Sequence, residues 1–424
     1  MPEMKDSGIE WIGEIPKDWN VNSLKYNYHI ISGATPDSAN AAFWDGDVAW
    51  ITPADYKTND IFVSKGKRNL TELGLKSCST HTLPNGSIVF SKRAPIGTVA
   101  ITSGELCTNQ GCLGLIKAVN SVVNKYYYYI LSIYTDVFNL YGSGTTFKEI
   151  SATVFGNIKL PKPEYLTQAR IADFLDSKCS EIDALTADIQ KEIEVLEEYK
   201  KSVITEAVTK GLNPDAKMKD SGIDWIGDIP SHWEIHPVYN FFGERKTKNY
   251  ALKEQNLLSL SYGRIIRKDI NTNGGLLPAS FNTYNIVEAG DVIIRPTDLQ
   301  NDKKSLRTGL VTEHGIITSA YIDLQPKNNV NSKYFHYLLH AYDVMKVFYN
   351  MGNGVRQGLN YSEFSKLMVF APPILEQAHI ADFLDNKCSE IDRAVAEKRE
   401  QLTTLEEYKK SVIYEYVTGK KEVM

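Results

Sequence analysis

After Pro161 and Pro163, apolar residues recur at helical spacing through a segment with few glycines and no proline until Pro214. Glu, Lys, Leu, Ile and Ala dominate it, residues that lose little on becoming helical. Ile182, Ile189, Leu196 and Val203 stand seven apart, with Leu185 and Tyr199 at intervening d-like positions. That period predicts a coiled-coil seam, although Glu192 and Glu206 take two of the d slots and weaken it. Gly211 followed by Leu-Asn-Pro214 reads as a helix C-cap and stop. A second such segment starts after Pro372 and Pro373 and keeps Ile391, Leu405, Tyr408 and Val412 in the same phase, with Lys398 on the seam. A helix from Ile171 to Val208 is a rod of about 57 Å at about 1.5 Å per residue. Two rods with apolar stripes most simply bury them against each other, antiparallel; the alternative is that each packs on its own globular domain.

The two helical segments belong to a larger duplication. MKDSGIEWIGEIPKDW, Met4 to Trp19, returns as MKDSGIDWIGDIPSHW, Met218 to Trp233. QARIADFLDSKCSEID, Gln168 to Asp183, returns as QAHIADFLDNKCSEID, Gln377 to Asp392, and at the same offset LEEYKKSVITEAVT from Leu196 returns as LEEYKKSVIYEYVT from Leu405. Between these blocks the halves diverge, from about Asn20 to Phe155 and from about Glu234 to Lys366. Faint echoes remain in Lys125–Leu131 against Lys333–Leu339, and in Gly142 and Gly144 against Gly352 and Gly354. A near-identical frame thus holds two different inserts, which implies one docking task done twice and two tasks that differ. The C-terminal YKKSVIYEYVTGKK leads toward the N-terminal MKDSGIEW as YKKSVITEAVTKG leads into the second copy, giving a nearly circular arrangement. The expected fold is α+β: two mixed α/β globular domains joined by two long helices in an antiparallel coiled coil, related by a pseudo-two-fold repeat. The expected divisions are 1–160, 161–212, 213–370 and 371–424.

Composition adds exclusions. With 42% hydrophobic and 23% charged residues the chain has a globular balance, and no stretch has the roughly 18 consecutive apolar residues of a membrane span. MPEMKDSGIEW has no basic region followed by an apolar run, so a secretory signal is not expected. Five cysteines, an odd number in a long chain, point to reduced thiols and a cytoplasmic location. The net charge of -5 sits poorly with phosphate binding, yet Arg245, Lys246, Lys248, Lys253, Arg264, Arg267 and Lys268 form one basic stretch, and Arg295, Lys303, Lys304 and Arg307 another. Each stretch is equally consistent with a solvated face.

The repeated DSGIEWIGEIPKDW stretch (Asp6–Trp19 and Asp220–Trp233) and the repeated QARIADFLD…EID…LEEYKKSVI stretch resemble those of type I restriction-modification specificity subunits. In the first insert Ser32-Gly33-Ala34-Thr35-Pro36, WDGDVAWIT from Trp44 to Thr52, Pro95-Ile96-Gly97 and Asn109-Gln110-Gly111 also look like features of that family. The resemblance spans essentially the whole chain. The second insert lacks a counterpart of WDGDVAWIT and of Asn-Gln-Gly.

The resemblance implies that each insert reads one half of a bipartite, asymmetric double-stranded DNA site, while the helices fix the unread gap. It implies partners: two copies of an adenine methyltransferase subunit, which would carry S-adenosylmethionine, and translocase-nuclease restriction subunits, which would carry ATP and Mg. No cofactor is expected on this chain itself. A pseudo-two-fold reader suits the two-folds of the DNA backbone, and half-sites on one face of the duplex lie about 34 Å apart. Four residues added to a spacer helix lengthen it by about 6 Å, nearly two steps of about 3.4 Å. Base reading needs paired donors and acceptors in the major groove. The candidates are Lys92, Arg93, Thr145, Thr146 and Lys148 in the first insert, the last three following the Gly142-Ser143-Gly144 turn. In the second they are Arg295, Arg307, Arg356 and Gln357, the last two following Gly352-Asn353-Gly354.

Catalytic motifs are missing. The only Pro-Pro pair, in Ala371-Pro372-Pro373-Ile374, fits no adenine methyltransferase loop, and there is no G-x-x-x-x-G-K-[ST] phosphate loop. Asp298 and Asp302-Lys303-Lys304 only loosely echo a nuclease cluster. Cys78-x-x-His81 with Cys107 and Cys112 matches no standard zinc spacing, so buried small residues are the reading taken, and Cys179 and Cys388 are expected inside the helical frame. The expectation is a non-catalytic DNA reader. Its rivals are a fused restriction-methylation enzyme, against which the missing loops speak, and a scaffold whose inserts bind proteins.

Overall fold

The computed structural model describes residues 3–57, 60–93, 95–142, 148–223, 226–250, 253–270, 280–297, 306–351 and 358–423, without the side chains of 349 and 350. The chain divides into two compact units, Met1–Ile189 with Glu400–Met424, and Gln190–Arg399. Each long helix, Tyr165–Lys210 and Ile374–Val417, contributes residues to both units. The first runs for 46 residues, about 69 Å at about 1.5 Å per residue. Among the described residues no helix is long and apolar enough to cross a membrane.

The frame builds the same brackets in each unit. Met4–Asp6 pairs antiparallel with Glu14–Pro16, and Met218–Asp220 with Asp228–Pro230. Asn20–Ser23 pairs with Lys159–Lys162, and Glu234–Pro237 with Met368–Ala371, closing each insert at its base. The first unit carries a five-stranded sheet in the order Tyr28–Ser32, Cys112–Lys117, Ile88–Ser91, Val99–Thr102, Phe62–Val63. The second carries four strands in the order Phe242–Glu244, Ile322–Pro326, Val292–Ile294, Thr308–Leu310. The first four positions correspond, all antiparallel, so the duplication reaches into inserts whose sequences share only echoes.

Those echoes are the docking side of each insert. Tyr126 donates its hydroxyl to the carbonyls of Pro161 (3.2 Å) and Val417 (2.8 Å); Tyr334 donates to those of Phe370 (3.3 Å) and Val208 (3.5 Å). Asp176 takes Lys125 and the Tyr129 hydroxyl, as Asp385 takes Lys333 and the Tyr337 hydroxyl. The buried amides of Gln168 and Gln377 donate to Pro163 and Pro372, each at 2.8 Å, and accept the backbone N–H of Val123 and Asn331. The repeated Gln and Asp of the helix starts are kept because each satisfies buried groups of its own insert.

Within each unit the two long helices run antiparallel. In the first, Phe174 packs on Tyr416 with ring centres 4.3 Å apart, and Lys409 reaches Asp183 at 2.6 Å. In the second, Glu192 meets Lys398 at 2.5 Å and Lys200 meets Asp392 at 2.7 Å. The predicted coiled coil is present, but its second row is not the expected one. Leu185 and Tyr199 are each 48% exposed, and Tyr408 is 49% exposed, whereas Ile193, Ala207 and Val395 are buried. The stripe takes the residue four after Ile189, Val203 and Ile391 rather than three after. At about 100° per residue an i+4 neighbour lies about 40° from the stripe and an i+3 neighbour about 60° from it. Glu192 and Glu206 consequently face solvent and do not interrupt the seam.

Candidate nucleic-acid interface

In the first unit the family-like motifs of the insert meet at one edge. Gly33 is pressed against the neighbouring strand, where an added Cβ would lie 2.2 Å from the Thr108 carbonyl oxygen. The Trp50 indole N–H donates to the Ala34 carbonyl at 3.1 Å, and the Ala34 N–H to Thr108 at 3.0 Å. Asn109 donates its N–H to Ile51, at the end of WDGDVAWIT, and its side-chain oxygen accepts from Gly111 at 2.8 Å. That turn leaves Gln110 exposed, with its side-chain oxygen accepting from the Thr35 hydroxyl. Gly111 then accepts from the Lys92 N–H at 2.9 Å, and Lys92 accepts from Ile150 at 3.0 Å.

Lys92 and Arg93 thus follow the strand Ile88–Ser91, and Lys148 precedes Glu149, which bridges to Arg93, next to the motifs. Lys148 is exposed. Glu149, which the sequence reading passed over, takes both other cations: Lys92 at 2.9 Å and Arg93 at 2.8 Å. The Lys92 ammonium, with help from Arg93 and against partial burial, holds the Glu149 carboxyl below its ordinary range. Lys92 is largely buried and Arg93 is not. Thr145 and Thr146 lie outside the described residues.

The second unit has the same edge with different chemistry. The Arg295 N–H donates to Arg307 at 2.8 Å where Ser91 donates to Thr98 at 2.8 Å, and Leu359 donates to Pro296 at 2.9 Å where Ile150 donates to Lys92. Pro296, Thr297 and Gly358 therefore hold the places of Lys92, Arg93 and Glu149. Arg295 is half-buried at this edge. Arg307 is placed differently: its side chain is fully buried, donating to the Thr297 carbonyl, while its backbone N–H goes to Asp343. An arginine held this way braces the edge from inside. Arg356 and Gln357 lie outside the described residues, as do Asp298, Asp302, Lys303 and Lys304.

The basic stretch from Arg245 onward is largely neutralised where it stands. Arg245 pairs with buried Asp291 at 2.7 Å, Lys246 with Glu244 at 2.8 Å, Arg264 with Asp392 at 2.8 Å, and Arg267 with Glu313. Cys107, Cys112, Cys179 and Cys388 are buried free thiols, and burial pushes Cys112 up to about 12, so it stays protonated. No group of potential metal ligands forms among the described residues.

Comparison with known proteins accounts for this organisation. Residues 16–195 match the type I restriction modification DNA specificity domain. Over 189 residues the chain is 37% identical to the type I restriction enzyme MjaIX specificity subunit of Methanocaldococcus jannaschii, covering 44% of this chain and 43% of that protein. The MjaX specificity subunit of the same organism aligns over 430 residues at 25% identity, covering 96% of this chain and 95% of its relative. The first unit's portion of the chain is thus similar to a type I restriction modification DNA specificity domain, and the likeness to a specificity subunit extends, at lower identity, over nearly the whole chain. A solved chain from work on complex assembly and conformational transition of the type I R-M system shares the fold, with a TM-score of 0.71 at 12% identity over 96% of this chain and 99% of that one. The domain match stops short of the second insert. In this chain the repeated frame and the corresponding sheets extend the organisation to the second unit.

Proposed function

We propose that this chain is a type I restriction-modification specificity subunit, a non-catalytic reader of double-stranded DNA in which each unit reads one half of a bipartite, asymmetric site. The observation that carries the reading is the contrast between frame and edge. Side chains that clasp the long helices repeat from unit to unit, while the corresponding sheet edges present Lys92, Arg93 and Glu149 in one and Pro296, Thr297 and Gly358 in the other. One partner bound twice and two unlike half-sites are the tasks that suit such a chain. On this reading Lys92, Arg93, Thr145, Thr146, Lys148, Arg295, Arg307, Arg356 and Gln357 are candidates for DNA contact, with Arg307 the most deeply buried of those described.

The same reading assigns the chemistry to partners in the cytoplasm. Two adenine methyltransferase subunits carrying S-adenosylmethionine would methylate the two strands, and restriction subunits carrying ATP and Mg would translocate and cleave. The test is methylome sequencing of a host with and without this gene. A two-part methylated adenine motif that disappears with the gene supports the reading, and an unchanged methylome refutes it.

A further inference from the structure

The first edge holds a carboxylate where a DNA-binding surface is expected to be positive. Glu149 sits beside Arg93 in a backbone bridge and takes Lys92 and Arg93 together, leaving the three side chains with a net charge of one instead of two. The second unit has Gly358 at that place, so the clamp belongs to what differs between the units and not to the common frame. We propose that Glu149 is a positioning residue for sequence specificity: it keeps Arg93 off nearby phosphates and fixes its guanidinium for a base edge.

The physics favours this division of labour. A free arginine at the rim of a DNA site falls onto the phosphate backbone, gaining affinity without sequence information. An arginine whose Nε is already taken by a carboxylate, here at 2.8 Å, has one fixed orientation for its remaining N–H groups. Two of those in a plane match the O6 and N7 of guanine. Lys92, largely buried on the same carboxylate, holds Glu149 in place from the interior side.

The inference rests on the DNA-reading function, and the experiment separates the two. The chain is purified with its methyltransferase partner, and its binding is measured across salt concentrations. The probes are the duplex carrying the methylated motif and duplexes altered in one half or the other. Glu149→Gln is expected to lose about fivefold or more of the discrimination in one half only, the scale of one lost bidentate base contact. Its log–log salt slope should steepen by about 0.9, one added phosphate contact. Arg93→Ala should lose the same discrimination without the steeper slope, and Glu149→Asp should restore most of it. Unchanged discrimination and slope in Glu149→Gln overturn the proposal, as does an equal loss on every duplex with a lowered melting temperature. A wild-type complex with no preference for the motif overturns the DNA-reading function and this inference with it.

Discussion

Asp323 lies on the second unit's sheet, 1% exposed, beside Asp291 and Arg245. Arg245 gives its close contacts to Asp291, at 2.7 and 3.1 Å, and stands 3.9 Å from Asp323. Burial, then the Asp291 charge, raises the Asp323 carboxyl from 3.8 to about 8. A carboxyl raised in the fold binds its proton more tightly there than in the unfolded chain. Its contribution is whole below the unfolded value and is lost as pH rises toward about 8. Asp323→Asn should shrink the fall in melting temperature between about pH 5 and about pH 9 by roughly 4 °C or more; an equal fall in both proteins contradicts the assignment. A second residue-scale difference concerns the two helix-end glycines. Gly211 (φ +75) and Gly419 (φ +71) end the two long helices, but a Cβ on Gly419 would lie 2.4 Å from Pro16, against 3.3 Å from Trp233 for Gly211. Gly211→Ala should cost about 1–2 kcal/mol for the left-handed backbone alone, and Gly419→Ala about 1–3 kcal/mol more for overpacking, read by urea unfolding. At this scale the sequence was least legible. Arg307 and Arg93 look alike as letters, and only strand register, with Asp343 behind one and Glu149 beside the other, decides which is buried.

Elements were far easier to read. The long helices, their antiparallel pairing and the Gly211 stop follow from period and capping, and they fold as expected. The second row of the seam did not follow, because a repeat of seven fixes one row and leaves the other open between i+3 and i+4. Leucine and tyrosine at 185 and 199 looked like the better choice, yet their side chains lie to the exposed side. The phase makes a sharp prediction. Ile193→Ala should destabilise the chain by about 2–4 kcal/mol, as for other buried Ile truncations. Leu185→Ala, although it removes as many apolar atoms from the helix surface, should change stability by no more than about 0.5 kcal/mol. Equal costs in denaturant unfolding would restore the original phase. Polar seam residues are tolerated because they are paired: Lys200 with Asp392 and Lys409 with Asp183 stand at equivalent positions of the two copies.

At the scale of the molecule, duplication was plain in the frame and hidden in the inserts. Sheet order survives there because backbone pairing asks only for apolar residues where the strands are buried, so sequence drifts while Phe242–Glu244, Ile322–Pro326, Val292–Ile294 and Thr308–Leu310 keep the order of their counterparts. The candidate interface was half legible for the same reason: motifs located the edge, but not the carboxylate that arrives from Glu149 or the inward turn of Arg307. If the long helices set the unread gap between half-sites, their length is a ruler that can be changed. Because the seam repeats every seven residues, one heptad added in phase to each long helix preserves every buried contact on either side of the insertion. A four-residue insertion in one helix turns the seam by about 40°. The paired heptads add about 10 Å, close to three steps of about 3.4 Å. Methylome sequencing should then return a motif with both halves intact and a gap about three base pairs longer. A methylated motif with its original spacing would mean that the gap is set elsewhere, and the helices would be left with docking alone.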